Sequence, residues 1–184
     1  MRIIAGAWRG RKIGAPPGDA TRPTADRTRE TLFSMLTSRL GSFDGLAVAD
    51  LFAGSGALGL EALSRGAASC IFVEQDAAAI KALRANIDHL DARLQCDVRA
   101  MSVMTLGIAK APLDLIVMDP PYGSGAGEVA LDRLLRLGWI GEATWISLET
   151  AFNEEPKIRG LEAEADRKVG KARITLFRAA DAPA

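Results

Sequence analysis

Apolar residues run along this chain in two alternating rhythms. Between Leu113 and Met118 five of six positions are apolar, a run too continuous for a half-exposed strand and suited to one covered on both faces of a parallel sheet. Shorter runs of the same kind span Leu46–Phe52, Ser69–Glu74, Leu94–Asp97 and Thr144–Glu149. Between them the spacing changes to that of helices: Ala57–Arg65 before Gly66, Ala77–Leu90 with Ile80, Leu83 and Ile87 inward, and Glu128–Leu137. Upstream, Thr24 is placed to cap a helix over 25–40 that aligns Leu32, Phe33, Leu36 and Leu40. Downstream, Glu162–Arg178 reads as a closing hairpin around Gly170. Repeated strand–helix alternation predicts an α/β fold, a mostly parallel seven-stranded sheet with helices on both faces.

The first 22 residues break this rhythm. Short apolar pieces alternate with basic ones and with Gly6, Gly10 and Gly14, and Pro16-Pro17-Gly18 closes the stretch. The pattern predicts a small basic β-hairpin over 1–22, appended to a main domain over 23–180. The whole chain of 184 residues has a formal net charge of +0, but seven basic residues against two acidic ones fall between Met1 and Arg29. Cys70 and Cys96 both sit in strand-like segments and read as reduced thiols of a cytoplasmic protein. One histidine, His89, argues against a histidine-built metal site, and no metal is expected. No apolar stretch is long enough for a signal peptide or a membrane span.

Two motifs carry chemistry. After the first sheet strand, Gly54, Gly56 and Gly59 in Asp50-Leu51-Phe52-Ala53-Gly54-Ser55-Gly56-Ala57-Leu58-Gly59 match the glycine fingerprint of adenosine-cofactor sites, and Glu74 ends the next strand 20 positions after Gly54, where a carboxylate holds ribose hydroxyls. A nicotinamide enzyme would lay a pyrophosphate on this helix start. Asp50 at the loop mouth would repel it, and would instead accept a hydrogen bond from the ammonium of S-adenosylmethionine. The second motif, Asp119-Pro120-Pro121-Tyr122, follows the buried 113–118 run. An aromatic amine is a poor nucleophile because its lone pair is delocalised. Hydrogen bonds from its protons to the Asp119 carboxylate and the Pro120 carbonyl localise that pair, the prolines fix both acceptors beforehand, and Tyr122 offers a stacking face worth about 1–3 kcal/mol per base.

The Phe52-Ala53-Gly54-Ser55-Gly56 loop and the Asp119–Tyr122 tetrad resemble the amino-group methyltransferases of the class I, Rossmann-like fold. The segments Arg2–Gly6, Trp8–Lys12, Arg22-Pro23-Thr24, Asp26–Glu30 and Glu61–Ala67 narrow this: with them the chain resembles the bacterial small-subunit ribosomal RNA guanine-N2 methyltransferases. The resemblance implies S-adenosylmethionine as donor and a guanine of small-subunit ribosomal RNA as acceptor, presented in a ribosomal subunit or assembly intermediate; separately, a monomer is expected. It assigns Asp50, Phe52, Ala53, Gly54, Ser55, Gly56, Glu74, Gln75, Arg99, Ala100, Met101 and Thr24 to the cofactor, and Asp119, Pro120, Pro121 and Tyr122 to the base and catalysis. Arg2, Trp8, Arg9, Arg11, Lys12, Arg22 and Arg27 suit RNA phosphates and stacking. One departure stands out: the family commonly has Asp or Asn before the alanine after the third strand, where this chain has Arg99 before Ala100, with Asp97 two positions earlier. The competing readings are a DNA adenine or cytosine amino-methyltransferase, which lacks room here for a sequence-reading domain, a nicotinamide-dependent oxidoreductase, which leaves the tetrad unexplained, and a non-catalytic RNA-binding module, which leaves Asp50 and Glu74 unexplained.

Overall fold

A computed structural model describes residues 1–16 and 23–180 of the chain. Strands β1 (Ala47–Leu51), β2 (Ser69–Glu74), β3 (Cys96–Ala100), β4 (Leu115–Met118) and β5 (Trp145–Ala151) pair in parallel, and β6 (Leu161–Val169) and β7 (Ala172–Ala179) add antiparallel at one side. The order is β3-β2-β1-β4-β5-β7-β6. The chain leaves β1 toward β2 and returns to β4 on the other side, so the strand order reverses at the carboxyl end of β1, the place where open α/β sheets bind ligands. Helices α1 (Pro23–Leu40), α2 (Ala57–Ser64), α3 (Ala77–His89) and α4 (Ala126–Arg136) complete the fold.

Alternation along the strands divides the core in two. Val48, Phe72, Leu115 and Val117 face Leu32, Phe33 and Leu36 of α1, Leu60 of α2 and Leu83 of α3. Ala49, Leu51, Ile116, Met118, Ile146 and Leu148 face Leu131 and Leu134 of α4 and Trp139. All four residues of β4 are fully buried, as a strand covered on both faces must be.

The structure corrects several sequence boundaries. Helix α1 begins at Pro23, whose fixed φ and missing N–H suit a first helical turn. Strand β3 begins at Cys96 instead of Leu94: residues 93–95 form a 3-10 turn, and Leu94 points wholly into solvent, so its apolarity gave a false strand signal. The closing hairpin is present, and its second strand lies between β5 and β6.

The amino-terminal ribbon is reduced to one antiparallel bridge, Arg2 to Lys12. It is held by burial more than by its own ladder. Ile3 and Ile13 enter the α1–α2–α3 core, and the Ile4 and Ala5 amides donate to the two oxygens of Glu61 at 2.8 and 3.0 Å. Glu61 lies fully buried in α2 and also receives Arg65 Nε at 2.9 Å. Arg65 in turn stacks 4.7 Å over the Phe33 ring, so α1, α2 and the amino terminus meet at one ion pair. Asn86 of α3 closes the other end of the segment: its Oδ1 accepts from the Gly14 amide at 2.7 Å, and its Nδ2 donates to the Gly14 and Ser55 carbonyls. Glu61→Ala strands two amides and a cation, a loss of about 3 kcal/mol or more. Hydrogen exchange should then speed up at Ile4 and Ala5 before the sheet is affected; uniform acceleration throughout the chain would refute a local clamp.

Candidate active site

The loop from β1 to α2 is shaped by backbone requirements at three glycines. Gly54 has φ +54° with open space where a Cβ would stand, on the wall of a cavity. Gly56 caps α2 in the left-handed region, and a Cβ there would come within 2.3 Å of Leu83 Cδ1. At Gly59 a Cβ would meet Phe72 Cε1 at 2.4 Å and Cys70 Sγ at 2.6 Å, so α2 reaches the sheet only because the side chain is absent. Phe52 also has positive φ, 59°, which is costly for an aromatic residue and marks the start of the loop as a strained turn.

Strand register brings the carboxylates together. Asp50 lies on the α1 side of β1, beside Phe72 of β2 and Val117 of β4. Glu74, two residues beyond Phe72, and Asp119, two beyond Val117, continue the same alternation, as does Glu149 two beyond Ser147 on β5. Four acidic side chains therefore fringe one face of the sheet at its carboxyl end. Among the described residues none of these groups is gathered tightly enough to hold a metal ion.

Asp50, Phe52, Ala53, Gly54, Ser55, Asp119 and Glu149 line a cavity of about 260 Å³. Met1 and, from α1, Thr28 and Arg29 form its opposite wall. Arg29 is buried, bonded to the Arg2 carbonyl at 2.5 Å and to Asp26 at 3.1 Å, and burial holds its pKa below the usual value. It thus fastens the amino-terminal residues over the cavity.

Asp50 is 1% exposed, and its Oδ2 accepts from the Gly59 amide at 2.8 Å. Burial pushes its pKa well up; the Gly59 bond opposes that, while Asp119 and Glu74 add to it. Such a group is relieved by a cation. S-adenosylmethionine carries two, the sulfonium and the amino-acid ammonium, whereas a pyrophosphate would meet like charge. The donor set therefore fits S-adenosylmethionine, with open space at Gly54 to admit it.

Glu74 differs from the simple ribose-holding expectation. Its Oε2 accepts from the Gly54 amide at 2.8 Å and its Oε1 from the Gln75 and Asp76 amides at 2.7 and 2.9 Å. The carboxylate fixes the glycine loop to β2 with three of its roughly four acceptor positions, leaving limited capacity for a hydroxyl. Glu74 itself, like Gly56, Gln75, Arg99, Ala100 and Met101, lies outside the cavity lining. The Met101 amide donates to the Glu74 carbonyl at 2.9 Å, continuing the β2–β3 edge. Arg99 remains in the position expected for an acid, its Nε on Asp97 at 2.9 Å and its guanidinium 5.4 Å from the Trp139 ring centre. Arg22 and the Thr24 side chain lie outside the described residues.

At the tetrad, Pro120 is buried under α4 while Asp119, Pro121 and Tyr122 are exposed. The Tyr122 hydroxyl donates to Glu149 Oε1 at 2.5 Å, and Gly123 N donates to Glu154 at 3.1 Å. Burial first, then Glu149 and the Asp119 and Glu154 charges, keep the Tyr122 proton bound, so the phenol is a firm donor. Burial raises the Glu149 pKa, opposed by the Tyr122 bond. The sequence reading missed Glu149; its only local signal is its place at the end of a sheet strand beside the tetrad strand.

Of the amino-terminal cations, Arg2, Arg9, Lys12 and Arg27 are exposed. Arg11 is half-buried and its guanidinium donates to the His89 carbonyl, and Trp8 packs against the core. Burial raises the Cys96 thiol to about 12 and holds that of Cys70 well up, so neither is an activated nucleophile.

A carboxyl whose folded pKa is raised stabilises the protein at low pH and loses that contribution as pH rises through the folded value. Asp50→Asn, which can keep the Gly59 bond, should therefore raise the Tm of the ligand-free protein at pH 7 by about 2–4 °C, the effect of ~1 kcal/mol in a chain of this size. The gain should vanish as pH falls below the ordinary carboxylate range, and added S-adenosylmethionine should stabilise the variant less. A lower Tm with an undiminished cofactor-induced shift would make Asp50 purely structural.

Comparisons with known proteins agree with this geometry. The family model described as "Conserved hypothetical protein 95" matches residues 1–178. Ribosomal RNA small subunit methyltransferase D of Escherichia coli (strain K12) is 39% identical over 150 residues, covering 82% of this chain and 74% of that protein. Its namesake in Haemophilus influenzae is 36% identical over 155 residues, covering 82% and 78%. A solved Escherichia coli structure superposes with TM-score 0.85 at 35% identity over 97% of both chains. At 14% identity, magnesium protoporphyrin IX methyltransferase from Synechocystis, solved with bound SAM, shares the fold alone, with TM-score 0.65 over 88% of this chain and 87% of that one. The fold is that of the class I methyltransferases, and the chain belongs to the small-subunit ribosomal RNA methyltransferase family.

Proposed function

We infer that this methyltransferase acts on the exocyclic N2 amine of a guanine in small-subunit ribosomal RNA, as a cytoplasmic monomer working on a ribosomal subunit or an assembly intermediate. The observation that carries the reading is the adjacency of the two sites: Asp119 belongs to the cofactor cavity wall and opens the Pro-Pro-Tyr turn beyond it. Support for RNA and for the small subunit comes from the names of the relatives, and support for guanine N2 from the family resemblance in the amino-terminal and tetrad motifs.

Asp50, the Phe52–Ser55 loop and Asp119 would hold the cofactor, which supplies an electrophilic methyl group on a sulfonium. No metal or covalent nucleophile is required of the chain. Asp119 and the Pro120 carbonyl accept the two amine protons and localise the nitrogen lone pair. Pro120 and Pro121 hold those acceptors in place before the base arrives, so little reorganisation is left for the reaction itself. Tyr122, tethered through its hydroxyl, presents its ring to the base. Asp119, exposed at the strand end, takes the proton released on transfer and passes it to solvent.

The test is transfer of labelled methyl groups to small subunits from cells lacking this enzyme, with mass spectrometry mapping the modified nucleotide. Asp119→Ala should lower kcat about 10²- to 10³-fold while S-adenosylmethionine still binds. Label in DNA alone, on a base other than guanine, or undiminished in the variant would overturn the reading.

Among the described residues, Arg9, Lys12 and Arg27 are exposed amino-terminal cations suited to phosphate contacts. Replacing all three with alanine should reduce the slope of log affinity against log salt by about 2, at ~0.7 per phosphate, and leave cofactor affinity unchanged. An unaltered slope would place the RNA on another face.

A further inference from the structure

We propose that Glu149 reads the N1–H of the target guanine and so excludes adenine and cytosine from the site. The proposal rests on the guanine-N2 reading above and names the residue that would make it selective.

Glu149 belongs to both cavities at the sheet edge: it lines the cofactor cavity with Asp119, and a smaller one with Pro120, Pro121 and Tyr122. Val117 pairs with Ser147 in the parallel β4–β5 register, so Asp119 and Glu149, each two residues on, follow as neighbours on the same face of strands about 4.8 Å apart. The Tyr122 hydroxyl occupies Oε1 at 2.5 Å. Among the described residues no donor meets Oε2. The phenol therefore fixes a carboxylate beside the tetrad with one oxygen left to accept.

The chemistry of the three amine-bearing bases separates at this point. In guanine the amine at C2 stands next to N1–H, a donor. In adenine the amine at C6 stands next to N1, and in cytosine the amine at C4 stands next to N3; both neighbours are lone-pair acceptors. Asp119 and the Pro120 carbonyl accept amine protons from any of the three bases, so the tetrad alone does not discriminate. A second carboxylate one strand over matches the extra donor of guanine and sets charge against a lone pair in the other two. Selection then has an attractive and a repulsive part.

The deciding probe is 2-aminopurine, which keeps the C2 amine and lacks both N1–H and O6. Small subunits would be reconstituted with guanine or 2-aminopurine at the mapped target position and assayed for methyl transfer. The wild-type protein should prefer guanine by about 10- to 100-fold in kcat/KM. Glu149→Gln, whose amide can turn an N–H toward a lone pair, should bring that ratio close to one, whereas Glu149→Asp, which keeps the carboxylate, should retain a preference. Where turnover of the Gln variant is low, the ratio of Kd values for the two particles gives the same comparison, and its Tm reports folding. Equal use of both bases by the wild-type protein, or an undiminished preference in Glu149→Gln, overturns the role of Glu149 and leaves the guanine-N2 reading standing. Failure of the wild-type protein to methylate either particle overturns the guanine-N2 reading, and this proposal with it.

Discussion

The site depends on a carboxylate buried in the middle of the sheet. Asp50 is the next-to-last residue of β1, walled by β2 and β4, with the Gly59 amide as its hydrogen-bond donor. Much follows from that bond. It requires α2 to start close to the sheet, which requires Gly59 against Phe72 and Cys70, and Gly56 against Leu83. It leaves a charge whose desolvation is incompletely offset within the protein, next to other carboxylates at the same edge. A fold optimised only for stability would place an apolar residue there. On the reading proposed above, the retained carboxylate is stability exchanged for affinity toward a cation.

Two other acids, half-buried Glu74 and fully buried Glu61, serve the same end by different means. Glu74 spends its oxygens on backbone amides and so pins the glycine loop to β2. Glu61 performs the equivalent task for the amino terminus, holding two consecutive amides against α2 while Arg65 neutralises it. Through that anchor and the Arg29 bond to Arg2, residues that look like a detachable basic ribbon become the wall of the cofactor cavity. The cations proposed to meet RNA and the wall of the cavity therefore share one short segment.

What could be read in advance was whatever is local in sequence. The continuous apolar run of β4, the three glycines and the Asp-Pro-Pro-Tyr turn each carry their meaning within ten residues, and each stands where that reading placed it. Contacts between distant parts of the chain were invisible. Glu61 meets Ile4 across 57 positions, Asn86 meets Gly14 across 72, and Glu149 meets Tyr122 across 27. None of these polar residues has a pattern that sets it apart from a solvated helix or strand end. The start of β3 was misjudged for the opposite reason: Leu94 has an apolar side chain but no sheet to cover it.

Arg99 shows how far one substitution in a motif can be absorbed. β3 runs through to Ala100 in unbroken parallel register with β2, and the Met101 amide still closes on the Glu74 carbonyl. The guanidinium turns to Asp97 and to the Trp139 ring, so its charge is engaged on the α4 side of the sheet and lies outside the lining of the acidic cavity. A second cation in that cavity, added to the Arg29 already on its wall, would compete with the ligand charge that Asp50, Asp119 and Glu149 favour. Holding Arg99 on the opposite face keeps the field of the cavity negative, which is the property a sulfonium cofactor needs. The strand end can therefore tolerate a basic residue where the family resemblance implies an acidic or amide one, because the main-chain groups of Ala100 and Met101, unlike the side chain, keep their place at the sheet edge.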